Sequence, residues 1–568
     1  MSLSLRLRRM KISTTYFKTE FATEIFRQKY QMNKDETWAE RCRIIVNDVC
    51  GDRTLTAKPH TYHIMSKTDR DQLVQYMVDM KFIPGGRYVY YAGRPAGFFN
   101  NCFCLKAEED TREEWAAIAQ RATSALMSGG GIGVDYSILR PSARTLSRTG
   151  GVSSGPIPFM HIVNEIGRNV MQGGSRRSAI FASLNWQHDD IRDFLHSKDW
   201  SEEMKQLKAK DFNFPLPLDM TNISVSWDTT FAQTSLGCYD GRASGANVPA
   251  LWNEVVEQMC KTGEPGMCFN FYENEKETLR NACTEFTSED DSDVCNLGSI
   301  NLGNIETLDE LKDVVGLAAR FLVCGTLRGE VPYEKVKDVR DRNRKIGLGL
   351  MGIHEWLLKR GYAYEVVPEL KEWLEVYKSE SERAANEHCD RFYLSHPKKY
   401  RAIAPAGTLS ILASTSSGIE PLFAVAYKRR YLVDGTKWKY QYVVDSTAKR
   451  LIEEYGINPE SIETSYSLAR NPEQRIKMQH GIQSYVDMGI SSTINLPEWG
   501  SEFNNEDTTR DLGEIILKYC SGLRGITCFP SGSRGFQPLT EVPYEEAIQN
   551  AGIVFAEENT CSGGICSI

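Results

Sequence analysis

Ile132-Gly133-Val134-Asp135-Tyr136-Ser137-Ile138-Leu139 and Ser178-Ala179-Ile180-Phe181-Ala182-Ser183-Leu184 read as short β-like runs. Between about 100 and 190 such runs alternate with helical stretches and with the glycine clusters at 129–133, 149–151 and 172–175. Strand and helix in alternation indicate an α/β architecture. Glycines at the junctions point to close backbone approach to a ligand.

Outward from this region, helical periodicity returns at 251–262, 308–328 and 366–392, with short β-like runs between. Residues 36–80 also read as helical, with Trp38, Cys42, Ile45 and Val49 at steps of three and four, then Leu73, Tyr76 and Met77. The expected organisation is a leader over 1–35, partly disordered, a helical module over 36–99, an α/β domain over 100–545 and a mobile tail over 546–568. The basic opening MSLSLRLRRMK lacks the apolar stretch of a secretory signal. No run approaches the ~20 apolar residues of a membrane-spanning helix, so the expectation is a soluble, cytoplasmic protein.

A net charge of -8 speaks against direct nucleic-acid binding, which calls for a surplus of Lys and Arg on one face. Anionic ligands must then be met locally by loops and a few arginines. Fifteen cysteines, an odd number, cannot all pair within one chain, and reduced thiols are expected.

Chemistry concentrates at Asn281-Ala282-Cys283-Thr284-Glu285. In an extended segment the amide, thiol and carboxylate would share one face. Alone, this pattern also fits a loop with a buried thiol. Ten residues on lies Cys295-Asn296-Leu297-Gly298-Ser299-Ile300-Asn301-Leu302, and the two stretches together resemble the ribonucleotide reductase catalytic subunits. That family carries a radical cysteine in N-x-C-x-E and a redox cysteine in a following CNL-x-SINL stretch.

Further matches follow along most of the chain. Asn101-Cys102 resembles the segment of the partner redox cysteine, and Gly131-Ile132-Gly133 a glycine turn near the substrate. Gln172 to Arg177 resembles the loop relaying effector identity. Pro405-Ala406-Gly407-Thr408-Leu409-Ser410, running on to Pro421, resembles the substrate-phosphate loop, and Cys561 with Cys566 the swinging pair of the tail.

The resemblance implies a ten-stranded α/β barrel with Cys283 on a central finger loop. It implies that a thiyl radical on Cys283 takes the 3'-hydrogen of the ribose, Glu285 accepts the 3'-hydroxyl proton and Asn281 hydrogen-bonds the sugar. Cys102 and Cys295 supply two electrons as a disulfide, renewed through Cys561 and Cys566 by a thioredoxin- or glutaredoxin-like reductant. Asn101, Gly131 and residues 405–410 are the expected substrate contacts, and Asp110, Arg140 and Arg176 those of dNTP or ATP specificity effectors at a homodimer interface.

Bland readings stand beside several of these. Cys104 shares a strand face with Cys102 and competes for its role. Asp110 could simply cap the helix that follows. Cys561 and Cys566 lack the further ligands of a zinc site, and no resident metal ion is expected. Gly347-x-Gly349-x-x-Gly352 satisfies a dinucleotide fingerprint but follows no convincing strand. Tyr88 stands where many members carry a smaller substrate-contacting residue.

Family members that import their radical from a metal-containing subunit carry a tyrosine pair before the tail. Here the stretch Gly525 to Arg534 has none and resembles the GSR segment of the adenosylcobalamin-dependent members. Adenosylcobalamin is therefore the expected cofactor, and a large subunit served by a metal-containing partner is the alternative.

Overall fold

The computed structural model describes residues 16–51, 65–100, 102–170, 178–211, 214–235, 248–294, 296–433, 437–533, 539–551 and 554–556. Helices Trp38–Cys50 and Lys67–Val78 pack on each other and on the long helix Leu308–Arg328. Thr37 opens the first with a reciprocal capping box to Glu40. A short strand β1 (Phe82–Pro84) follows.

The centre is a ring of strands. β2 (Cys102–Lys106), β3 (Gly131–Asp135), β4 (Ile180–Asn185), β5 (Thr221–Asp228) and β6 (Gly266–Asn270) pair in that order, all parallel. A hairpin of β7 (Leu279–Arg280) and β8 (Thr287–Ser288) comes next. Then β9 (Asp293–Val294) lies antiparallel to β2, and β10 (Leu297–Asn301) runs parallel to β11 (Gly347–Met351). Parallel bridges Leu348↔Arg401 and Ile403↔Ile490 carry the pairing onward to the lead-in of strand β14 (Thr493–Leu496). β12 (Ala426–Val433) and β13 (Lys437–Val444) form a long hairpin to one side. β14 (Thr493–Leu496) is parallel to β15 (Gly525–Pro530), which closes antiparallel on β6.

Followed round, the pairings return to β2: two parallel sets joined by antiparallel seams at β6–β15 and β2–β9. Helices cover the outside, where two large apolar clusters form. Helix Leu308–Arg328, capped by Thr307, buries Leu311, Val314, Val315, Ala318 and Leu322 against its neighbours, chiefly helix Pro368–Arg391. A small cluster made of Cys102, Cys104, Leu279, Ala282, Phe286, Leu297, Ala402 and Met488 joins both strand sets to the β7–β8 hairpin.

Two sequence expectations change here. Residues 20–29, placed within the leader, form a helix capped by Thr19 that buries Ala22, Ile25 and Phe26 and lies on helix Gly407–Ala413. The fingerprint glycines Gly347 and Gly349 sit inside β11 and, as expected, follow no strand. Residues ascribed to the tail include helix Tyr544–Gln549 and β17 (Val554–Ala556), which pairs with β13, as β16 (Leu539–Glu541) does with β12.

Candidate active site

The hairpin β7–β8 carries the Asn281–Glu285 stretch at its tip, and the stretch is a turn, not the extended segment expected. Thr284 N–H donates to Asn281 O at 3.0 Å, and Thr284 takes a φ of 68°. For a β-branched residue this left-handed conformation costs about 1–3 kcal/mol. The turn folds the chain back so that Asn281 and Glu285 meet: Asn281 Nδ2 donates to Glu285 Oε1 at 2.8 Å, while Phe286 N–H donates to Asn281 Oδ1 at 3.1 Å. Cys283, between them, is partly exposed, whereas Asn281 and Glu285 are buried.

Bare glycines on opposite walls make room for the finger. A Cβ on Gly133 would lie 1.8 Å from Arg280 O, and one on Gly131 3.0 Å from Ala282 Cβ and 3.2 Å from Cys102 Sγ. From the other strand set, Gly489 N–H donates to Glu285 O at 2.7 Å, and a Cβ there would meet Thr284 O at 2.6 Å. The expected glycine turn at Gly131–Gly133 is thus strand β3, whose missing side chains leave a slot for the finger. Gly489 carried no sequence signal.

Glu285 is 1% exposed, and its Oε2 has no hydrogen-bond partner among the described residues. Burial, with the charge of the nearby Cys102 thiol added, raises its carboxyl to about 8 despite the Asn281 bond. At the root of the finger, Arg280 donates to Asn270 Oδ1 at 2.6 Å and Arg524 to Glu277 Oε2 at 2.8 Å. Burial pushes Glu277 up, but Arg524, Lys399 and Lys345 outweigh it and hold the carboxyl near 2.

Cys102 and Cys104 are both buried in the inner cluster. Cys102 adds to the upward push on Glu285, while Cys104 lies in the field of Asp293 and Lys345. Tyr88 is fully buried. Its ring stacks on Phe99 at 4.8 Å, its hydroxyl bonds Asn296 Oδ1, and it fills the notch left by Gly325.

Pro405 and Ala406 precede helix Gly407–Ala413. Ala406, with φ 52°, caps it without a side-chain bond, so the first N–H groups point outward from an exposed Gly407 and a half-exposed Thr408. Leu409 and Ser410 are buried; Ser410 Oγ donates to Gly407 O at 2.9 Å and lies 2.7 Å from Ser417 Oγ.

Asp110 does not cap its helix; Thr111 does, accepting from Glu114 N–H. Asp110 instead receives Arg140 Nε at 2.6 Å and Trp115 Nε1 at 3.2 Å. A cavity of about 560 Å³ adjoins it at the carboxyl ends of β3 and β4, lined by Ser137, Arg140, Arg144, Asn185 and His188 among others. Asn101, Arg176, Cys295, Cys561 and Cys566 lie outside the described residues.

Several known proteins are similar to this chain. The family model for the ribonucleotide reductase barrel domain matches residues 100–219, 238–373 and 398–529. A vitamin B12-dependent ribonucleoside-diphosphate reductase of Mycobacterium tuberculosis is 27% identical over 548 residues, covering 86% of this chain and 75% of its own. Another of that name, from Thermoplasma acidophilum, is 28% identical, covering 82% of this chain and 66% of its own. The structure of the Actinobacillus ureae class Id ribonucleotide reductase alpha subunit superposes with a TM-score of 0.69 at 18% identity, over 91% of this chain and 98% of that one. With more than half of its length matched by the family's barrel model, and a buried carboxyl–amide pair beside a thiol inside that barrel, the chain belongs to the ribonucleotide reductases, which convert ribonucleotides to deoxyribonucleotides.

Proposed function

We propose that this reductase works through a thiyl radical on Cys283 and depends on adenosylcobalamin to form it. The reading rests above all on Glu285: a buried carboxyl with one oxygen fixed by Asn281 and the other without a partner, next to a half-exposed thiol. A ribose 3'-hydroxyl donating to Oε2 would supply the missing hydrogen bond, favour the ionised carboxylate and pass its proton there as Cys283 takes the 3'-hydrogen. The 2'-hydroxyl, once protonated, leaves as water.

Two electrons then come from Cys102 and Cys295, which join as a disulfide and release two protons. Cys561 and Cys566 would renew the pair by exchange, fed by a thioredoxin- or glutaredoxin-like protein. Gly407 and Thr408 N–H groups suit the substrate phosphates without a large positive charge, with Asn101 and Gly131 flanking the sugar. The ring of paired strands is proposed to be the family's ten-stranded barrel.

When bound, adenosylcobalamin supplies a carbon radical able to oxidise a thiol by taking its hydrogen. Ser533, in the GSR segment that follows β15, offers it a hydroxyl: its Oγ is buried without a partner among the described residues, and Gly532 takes a φ of 76°. These residues fit a cofactor held by hydrogen bonds, and relatives at 27–28% identity bear the name B12-dependent. Asp110 and Arg140, already paired, would open to a dNTP or ATP effector together with Arg176. Exposed Met127 and Ile162, on the adjacent helices Arg112–Met127 and Pro156–Asn169, support a homodimer.

The test is the purified chain with adenosylcobalamin, a dithiol and a ribonucleotide, read as deoxyribonucleotide formed. Product restored only by a metal-loaded second subunit would replace the cobalamin reading with the alternative one.

A further inference from the structure

The chemistry asks for Asn281 and Glu285 to hold still, yet their turn is strained at Thr284 and lies at the end of a two-residue-per-arm hairpin. Such a hairpin does not hold its own shape, so something must fix the returning arm. Gly489 holds that arm at Glu285 and Glu277 takes the Thr287 hydroxyl, and the three residues after Glu285 also meet one buried cation. Lys345, two residues ahead of β11, is 4% exposed. Its Nζ pairs with Asp293 Oδ2 at 2.9 Å and donates to Thr287 O and Ser288 Oγ, both at 3.0 Å. It also lies 5.3 Å from the centre of the Phe286 ring.

An ammonium has three hydrogens, and three acceptors surround this one. Ser288 Oγ passes the contact on to Asp293 Oδ2 at 2.7 Å, and Asn343 Nδ2 reaches the same oxygen at 3.0 Å. Burial works against the charge of Lys345, but the carboxylates of Asp293 and Glu277 outweigh it and keep the group protonated.

The residues gripped are Phe286, Thr287 and Ser288, those directly after Glu285. Phe286 N–H is also the group that fixes Asn281 Oδ1 and so aims Asn281 Nδ2 at Glu285. We infer that Lys345 is a positioning residue of this reductase, holding the returning arm of the finger against β9 and β11 so that Asn281 and Glu285 keep their alignment beside Cys283. The inference rests on the roles proposed above for those three residues. A buried ion pair adds little net stability over apolar side chains of equal volume; three directed donors add geometry, which an apolar side chain cannot.

The test separates charge from geometry. Lys345→Met alone strands Asp293 as an unpaired buried charge and is expected to unfold readily. The double variant Lys345→Met/Asp293→Asn removes both charges and leaves acceptors for Ser288 and Asn343. It is expected to melt near the wild type while kcat falls about 10²-fold at unchanged KM for the ribonucleotide, the scale of loss for a misplacement of about 1 Å. Recovery of both melting temperature and kcat in the double variant would overturn the inference.

Should the double variant also melt early, Ser288→Ala provides the answer, since it deletes one hydroxyl of the grip: a several-fold lower kcat at unchanged melting temperature supports the role, and wild-type kcat refutes it. Glu285→Gln, assayed alongside, guards the premise. If that variant kept full activity, the roles given to the turn would fail whatever Lys345 does.

Discussion

Glu285 shows how one buried oxygen without a partner governs pH behaviour. Its folded value, raised to about 8, lies above the ordinary value of 4.5. Between those two the folded protein holds a proton that the unfolded chain has lost, so this group's contribution to stability falls as pH rises towards 8. Glu285→Gln, which cannot ionise, should therefore raise the melting temperature more at pH 9 than at pH 5, by about 2 °C, as read by calorimetry. The same variant should lower kcat roughly 10²–10⁴-fold through loss of the proton acceptor. Among the cysteines, Cys102→Ser should abolish turnover after prereduction, and Cys104→Ser, whose thiol lies in the field of Asp293 and Lys345, should keep most of it; the deoxyribonucleotide yield decides between them. The pattern N-x-C-x-E was plain in the sequence, but not its geometry. Alternation along an extended strand was the wrong means of convergence, because the left-handed Thr284 and its contact with Gly489 come from residues 200 apart in the chain.

The finger hairpin is a short element made rigid by its surroundings, and its fit depends on side chains that are absent. Gly133→Ala would drive a methyl into Arg280 O, a backbone atom with no room to yield. We expect the variant to lose about 1–3 kcal/mol or more of stability and most of its activity, checked by thermal melts and turnover together; a fully active, fully stable variant would show that the finger lies elsewhere. Glycine clusters were visible at 129–133, and their meaning was read as closeness to a ligand. At Gly133 the protein's own backbone, Arg280 O, makes the close approach. Helices were more legible than this hairpin: Thr37 and Thr307 caps and apolar periodicity announce them locally. Helix Glu20–Lys29 escaped notice because its stabilising contacts are with helix Gly407–Ala413, nearly 400 residues away.

At the scale of the whole molecule, the closed ring brings residues from β2, the finger and the lead-in of β14 into one interior. Asp110 and Arg140 meet on its outside, beside the cavity at the ends of β3 and β4. Arg140→Ala should weaken dNTP effector binding at least ten-fold, measured by equilibrium dialysis, with basal reduction retained; unaltered binding would place the effector elsewhere. Composition, helix caps, the α/β alternation and the order of the motifs were all readable from the chain, since each depends on residues close in sequence. Membership of the reductases followed from that order of motifs. The turn that joins Asn281 to Glu285, the burial of Tyr88 and the grip of Lys345 were not. Each depends on which side chains meet across the ring, and on the low-dielectric interior that closing it creates, where a carboxyl loses its charge and a lysine keeps its own.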